Sequence, residues 1–500
     1  MNKKNKVESI VIGSNHLVKN IEPLIAKKLK DKLNYKIIFV AKTKEDQLFY
    51  KNNFKECFDD VYNNKFKVDS TYINYHKKYK NPEKKALEIE KKYNISIYRL
   101  FFTHRVLGRG FFASGGVRHP RNKTHWLSTN RDLLNMAINF ITFWEDLFKR
   151  ENVKISLNLD NISNQLAIKN NIKSLRLYEG KFKNTYSWTE KTSIEPEIKL
   201  KDLKLKKKYN LKKVIIGNPY DSYAIARAVD VHNLKLINTL KIIFFTILQI
   251  SYGKLRGYEK AHNKYILDEV FFIWNIRKSY LEYSKKTNIN LKKLKYKKFI
   301  FLPLLTEPEI ALSGIADDFF FQLSVINLIS RDLPSDYTLV VKEHILAFGR
   351  RPKDFYKQIS DLRNVVFADP DELGLDYIKN CKAVACITGT SAWEAIVMGI
   401  PVISFSRNNT WNFLNHVYFL SSFENLRYIF LSIDKENYPN KKSISEGASF
   451  YKAYFEKLIP VKSYNNLIPL SNNIKKIPSN MKDVAQILFS ELEKKLVNFY

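Results

Sequence analysis

The run ITGTSAWEAIVMGIPVISF, Ile387 to Phe405, concentrates residue types that could do chemistry. An apolar strand pattern stops at Thr388 and Gly389, Thr390 and Ser391 follow where a helix begins, and Gly399-Ile400-Pro401 closes that helix into the next strand. Unpaired backbone N–H groups and the positive end of a helix attract phosphate, and Gly389 permits close backbone approach. Glu394, on the first turn, is placed to accept hydrogen bonds from ribose hydroxyls. The alternative is that Thr390 or Ser391 merely caps the helix, a routine use of hydroxyl residues.

A second constellation lies upstream. VVKEHILAFGRRP sets Lys342, Glu343 and His344 at the carboxyl end of a strand pattern, where open α/β sheets keep their ligands. Lys342 and His344 alternate with Glu343, so an extended chain turns both to one side. A lysine and a histidine there suit stabilisation of a leaving phosphate. In LLTEPEIAL, Glu307 and Glu309 bracket Pro308 just after another strand, and Glu309 is the candidate base or nucleophile, with a plain turn charge as the alternative. Asp160, at the end of an N-terminal strand pattern, is the reserve carboxylate.

Arginine is scarce and clustered. Of 17 arginines, six (Arg99, Arg105, Arg109, Arg118, Arg121 and Arg131) fall within residues 99–131, where even spacing would place about one. His104, His119, His125 and four glycines share the segment, which reads as a long loop. Arginine makes bidentate contacts to carboxylate and phosphate, so Arg105, Arg109, Arg118, His119 and Arg121 are candidates for holding an anionic acceptor or an acidic sugar. A basic surface loop without a ligand is the alternative.

The elements that must position these residues alternate regularly. Strand Val7–Ile12, helix Val18–Leu33 and strand Lys36–Ala41 open a parallel sheet, continued by helix Leu133–Lys149 and strands Lys154–Asp160 and Ser174–Gly180. This domain is expected over 1–195. Residues 196–295 are basic and helical, a connector containing KLKDLKLKKKYNLKK, the apolar run Ile242–Ile250 and helix Tyr265–Lys286. That run is shorter than the roughly 20 residues of a membrane-crossing helix. The basic stretch reads as a solvated linker, with a membrane-surface patch as the alternative.

From Phe299 to Ser406, five strand patterns (299–305, 337–344, 364–369, 383–389, 401–406) alternate with four helix patterns (319–331, 353–362, 372–380, 391–398), a second doubly wound domain over 296–430. Residues 431–500 read as a helical extension whose last helix, Met481–Phe499, packs back across the domains. The fold class is α/β: two Rossmann-like parallel-sheet domains facing a cleft, with a helical connector. That is the GT-B arrangement of glycosyltransferases, which other nucleotide-binding enzymes share.

The net charge of +34 comes from 67 lysines and 17 arginines against 50 acidic residues. Lysine is spread over the whole chain, and no RNP-type aromatic motif accompanies it, so no nucleic-acid partner is expected. Three cysteines, without a CxxC pair, suggest neither a disulfide framework nor zinc. The N-terminus lacks a signal-peptide pattern, and a cytoplasmic protein is expected.

The segments FLPLLTEPE, DDFFFQLSVINLISRDLP, YTLVVKEH, RPKDFYKQISDLRNVVF and ITGTSAWEAIVMGIPVISF, within residues 298–406, resemble the bacterial capsule polysaccharide biosynthesis family, which includes Kdo transferases. Lys342, Glu343 and His344 match its KEHP-like motif with Ile345 in place of proline, and Pro308-Glu309 match its QPE-like motif with Glu307 in place of glutamine. The resemblance implies a GT-B fold, no metal, no cofactor and a nucleotide-activated sugar donor, CMP-Kdo in the best-understood members. The expected activity is transfer of an acidic sugar such as Kdo to a surface polysaccharide or lipid-linked acceptor, with peripheral contact to anionic membrane. Glycerophosphate transfer or sugar-nucleotide epimerisation on the same scaffold is the enzymatic alternative, and a nonenzymatic RNA- or lipid-binding protein the other.

Overall fold

The computed structural model of the 500-residue chain describes residues 7–14, 21–33, 35–63, 77–102, 129–182, 184–190, 195–203, 228–258, 264–287, 289–306, 319, 321–422, 426–462 and 477–497. Glu307, Glu309, Arg105, Arg109, Arg118, His119 and Arg121 lie outside the described residues.

The N-terminal sheet contains β1 (Ser9–Gly13), β2 (Lys36–Ala41), β3 (Asp60–Asn63), β4 (Val153–Leu157), β5 (Lys173–Glu179) and β6 (Thr185–Glu190), and takes in a late strand, β13 (Ile459–Pro460). Its order is β13-β6-β5-β4-β1-β2-β3, with β1 to β5 parallel and β6 and β13 antiparallel. The helices here are α1 (Glu22–Lys32), α2 (Lys44–Asn53), α3 (Pro82–Tyr93), α4 (Ile97–Phe102), α5 (Asn130–Arg150) and α6 (Asn161–Lys169). Continuous apolar runs such as KIIFVA belong to strands covered on both faces. Strand alternation sends Ile10, Ile12, Ile37 and Phe39 into one core with α1, and Val11, Ile38 and Val40 into another with α3 and α5. Thr129 and Asp132 form a reciprocal capping box that starts α5.

The second sheet contains β7 (Lys298–Pro303), β8 (Tyr337–Lys342), β9 (Val365–Phe367), β10 (Ala383–Cys386), β11 (Val402–Ser404) and β12 (Val417–Phe419). It is wholly parallel in the order β12-β11-β10-β7-β8-β9. The chain winds outward from β7 in one direction and from β10 in the other, so a topological switch point lies between them. Open α/β sheets bind ligands outside the carboxyl ends of the strands at such a point. The crossover helices are α10 (Gln322–Asp332), α11 (Phe355–Ser360), α12 (Gly374–Asn380) and α13 (Thr390–Val397).

Between the sheets run α7 (Leu236–Leu255), α8 (Ile266–Lys286) and the short α9 (Leu291–Leu294). Helix α7 corrects the expected short apolar run: it has 20 residues and is long and apolar enough, by length and composition, to cross a membrane. Leu236, Ile237, Leu240, Tyr252 and Leu255 extend the apolar character at helical spacing, which a count of uninterrupted residues misses. Helix α8 seats Tyr283 in the core of the second domain.

The C-terminal residues divide between the domains. Helices α14 (Leu426–Glu436) and α15 (Lys441–Glu456) pack on the second domain. The chain then crosses back through β13 to α16 (Ser479–Val497), which buries Val484, Leu488 and Leu492 in the same core as α1.

Candidate functional site

A cavity of about 300 Å³ opens beside the switch point, bordered by Pro303 and Leu304 at the end of β7, Lys342, Glu343 and His344 at the end of β8, Leu373 and Gly374 at the start of α12, and Ser391 and Glu394 of α13. Lys342 is 7% exposed. Its ammonium donates to the Asp369 carbonyl and lies 5.9 Å from the centre of the Tyr377 ring. His344 is not on the strand, as the alternation argument assumed, because β8 ends at Lys342. His344 instead precedes the turn Ile345–Ala347, and its Nδ1 accepts the Leu346 N–H at 3.2 Å. That acceptor role assigns the ring proton to Nε2 in the neutral tautomer.

Glu343 points the other way, into the protein. Its carboxylate takes a bidentate pair of bonds from Arg351, Nε to Oε2 and Nη2 to Oε1, both 2.7 Å, and a third from the Tyr356 hydroxyl at 2.8 Å. Arg351 Nη2 also donates to the Leu305 carbonyl at 2.8 Å. One buried ion pair therefore joins the ends of β7 and β8, the two strands that frame the cavity. A buried charge persists in such a place because it is paired and hydrogen-bonded.

Gly389 is the N-cap of α13, with φ +120°, a conformation side chains rarely adopt, and an added Cβ would stand 3.1 Å from Leu305 Cδ2. Gly389 offers no side chain to cap this helix, and the Cys386 thiol takes the Ala392 N–H in its first turn. The N-cap position thus falls to Gly389 rather than to Thr390 or Ser391, and the cap residue supplies no side-chain acceptor to the first N–H groups of α13. Glu394 lines the same cavity, and burial pushes its carboxyl up to about 7, against the opposing pull of Lys181. Helix α13 itself is held firmly: Trp393 packs between Trp411, Phe450 and Tyr454, and its Nε1 donates to Glu195 at 3.3 Å.

Glu195 is where the domains meet. Besides Trp393 it accepts from Thr410 at 3.2 Å and pairs with Lys181 at 3.2 Å. Lys457 reaches across to the Glu197 carbonyl and the Asp202 carboxylate, each at 2.7 Å. A larger cavity of about 1080 Å³ lies along this junction, between β6, β13 and α16 on one side and the loop after β11 on the other. Thr388 borders this larger cavity, whereas Ser391 and Glu394 border the smaller one, so the loop from 388 to 391 separates the two.

Of the residues singled out from sequence, Lys342, Glu343, His344, Ser391 and Glu394 converge on one cavity, while Gly389 and Thr390 line neither cavity. Asp160 stands apart: its Oδ1 accepts the N–H groups of Ile162 (2.9 Å) and Ser163 (3.0 Å) and caps α6. Of the clustered arginines, the described Arg131 donates to the Lys80 carbonyl beside α3. Two acidic residues missed from sequence also line the smaller cavity, Glu372 and Asp230. Asp230 belongs to helical residues 228–233, more than a hundred positions before β8, and no local pattern marked it.

Comparison with known proteins finds no matching family model and no matching curated protein. Similar solved structures include the beta Kdo 2,7 transferase KpsC of Thermosulfurimonas dismutans, 12% identical over 73% of this chain and 90% of that one, with a TM-score of 0.30. Anabaena Alr3699/HepE in complex with UDP and glucose is 9% identical over 90% and 95%, with a TM-score of 0.30. The UDP-GlcNAc 2-epimerase of Neisseria meningitidis bound to UDP-GlcNAc is 12% identical over 90% and 97%, with a TM-score of 0.26. Likeness this loose assigns no activity, and the α/β fold with two Rossmann-like domains rests on the strand pairing described above.

Proposed function

We propose that this chain is a glycosyltransferase that binds a nucleotide-activated sugar in the cavity between β7, β8 and α13. The observation that carries the reading is the meeting of Lys342, His344, Ser391 and Glu394 around that cavity, at the carboxyl ends of parallel strands and against a helix start whose N-cap is Gly389. Lys342, the His344 Nε2–H and the N–H groups of α13 would stabilise the charge gathering on the leaving phosphate, and Glu394 would hold the ribose. The Glu343–Arg351 pair positions the strand ends without touching the substrate. Glu309 follows β7 and is kept as the carboxylate that activates the acceptor hydroxyl or attacks the sugar, with no metal or cofactor in the reaction. Asp160 is given no catalytic role because it caps α6. The acceptor, a surface polysaccharide or lipid-linked glycan held partly by Arg105, Arg109, Arg118, His119 and Arg121, and a location at the cytoplasmic face of the membrane complete the proposal.

Thermal-shift measurements with CMP, UDP, GDP and CDP test it. One nucleotide should stabilise the wild type, by about 2.7 kcal/mol at a hundredfold excess over its Kd. His344→Ala and Glu394→Ala should lose most of that shift. If no nucleotide stabilises the protein, or both variants respond as the wild type does, the site assignment fails.

A further inference from the structure

The apolar side of α7 has no counterpart in the cores of either domain. Ile237, Leu240, Phe244, Leu248, Tyr252 and Leu255 recur at helical spacing and are all exposed, Phe244 at 57% and Leu248 at 49%, with Phe245 beside them at 64%. Only 17% of the most apolar stretch of α7 is buried. Helix α8, which follows α7 and packs against it, exposes Leu267, Phe271 and Trp274, again at helical spacing. Soluble monomers rarely leave so large a contiguous apolar surface uncovered.

We propose that the α7–α8 hairpin docks the protein on an anionic lipid bilayer, lying in the interface rather than crossing it. The charge pattern selects this partner. Helix α7 contains no acidic residue, while Lys235 precedes it, Lys241 sits within the apolar stripe and Lys254 and Arg256 end it. Pairing with a second copy through this face would bury like charges with no acidic partner on the helix. Phosphate headgroups complement them, with each lysine stem lying along the apolar surface and its ammonium reaching the lipid phosphates. Tyr252, Tyr258 and Trp274 supply the amphipathic rings favoured at headgroup depth.

The connections exclude a crossing. The segment before α7 packs Val231 and Leu234 on the second domain's core, and α8 returns to that core through Ile276, Tyr280 and Tyr283. A crossing α7 would oblige α8 to cross back, and α8 carries Asp268, Glu269, Arg277, Lys278 and Glu282. Asp268 and Glu269 lie off its exposed stripe at helical spacing, so an in-plane orientation keeps them out of the hydrocarbon. The same segment that enters α7 contributes Asp230 to the smaller cavity, which ties the docking face to the candidate site. The docking itself does not depend on what that site binds.

The test uses the full chain and vesicles of phosphatidylcholine alone or of phosphatidylcholine and phosphatidylglycerol in equal parts. The wild type should sediment with the anionic vesicles, and Phe244→Glu/Phe245→Glu/Leu248→Glu should bind them about tenfold more weakly or worse. Lys235→Gln/Lys241→Gln/Lys254→Gln should erase the preference for anionic over neutral vesicles. Both variants should keep the wild-type circular dichroism and any nucleotide-induced thermal shift, which separates loss of docking from loss of the site. The proposal is overturned if the wild type ignores anionic vesicles or if the glutamate variant binds them undiminished. It is equally overturned if light scattering without lipid shows a wild-type dimer that the glutamate variant converts to monomer, because a second copy then covers the face.

Discussion

Two carboxylates with opposite fates define the site. Glu343 is buried and matched by Arg351 and Tyr356, so it is structural, whereas Glu394 is half-buried, has no ion pair among the described residues and has its carboxyl pushed up to about 7 by burial. Between the ordinary value of 4.5 and about 7 the folded protein binds a proton at Glu394 that the unfolded chain releases. That contribution to stability is therefore present below about 4.5 and lost as pH rises through about 7. Glu394→Gln should flatten this slope in denaturation midpoints measured from pH 4 to 8. If the carboxylate accepts from ribose hydroxyls, nucleotide affinity should also rise with pH through 7 in the wild type and not in Glu394→Gln, as titration calorimetry would show. The residue types of Lys342, His344, Ser391 and Glu394 were readable in the sequence because strand ends and helix starts are local patterns. The partnership of Glu343 with Arg351 was not, since it depends on the turn after β8 folding back.

At the level of elements, the position of α13 is set from behind by α15. Gly447 of α15 lies against α13 so closely that an added Cβ would collide with the Ile396 carbonyl oxygen. Ser443, one turn earlier, donates to the Gly399 carbonyl at 2.8 Å. Close packing leaves no room to absorb a methyl group here. Gly447→Ala should cost about 1–3 kcal/mol in chemical denaturation and, by displacing the start of α13, reduce the nucleotide-induced thermal shift. Unchanged values on both measurements would refute this account of the crossing. Strand–helix alternation made β7 to β11 and their crossovers legible, because buried parallel strands are continuous apolar runs flanked by amphipathic helices. The edge strands β3, β12 and β13, and β6 next to β13, were not expected. Strands as short as Val417–Phe419 or Ile459–Pro460 carry too few residues for a periodic signal, and their neighbours decide them.

At the scale of the whole molecule, the chain's two ends close on each other. Helix α16 crosses from the second domain to cover the N-terminal sheet, where Trp188 Nε1 donates to the Leu488 carbonyl at 3.0 Å and Leu488 itself is buried. Leu488→Ala should therefore cost about 2–5 kcal/mol, lowering the stability of the N-terminal domain although the mutation lies near the C-terminus. Limited proteolysis should show earlier cleavage within 7–190 in the variant, and cleavage confined to the second domain would contradict the packing. Glu195 and Lys457 add a polar junction between the domains, and their bonds to Thr410, Glu197 and Asp202 join residues more than 200 positions apart. The sequence by itself determined the two α/β domains, the order of the second domain's elements from β7 to β11 and five of the residues that line the smaller cavity. Those features follow from hydrophobic period and local turn chemistry, which neighbouring residues encode. Tertiary structure alone decided that β8 stops before His344, that Arg351 locks the strand ends, that Asp230 enters the cavity and that α7 is left apolar and uncovered. Each depends on which surfaces remain after distant segments pack, and no short window of sequence contains that information.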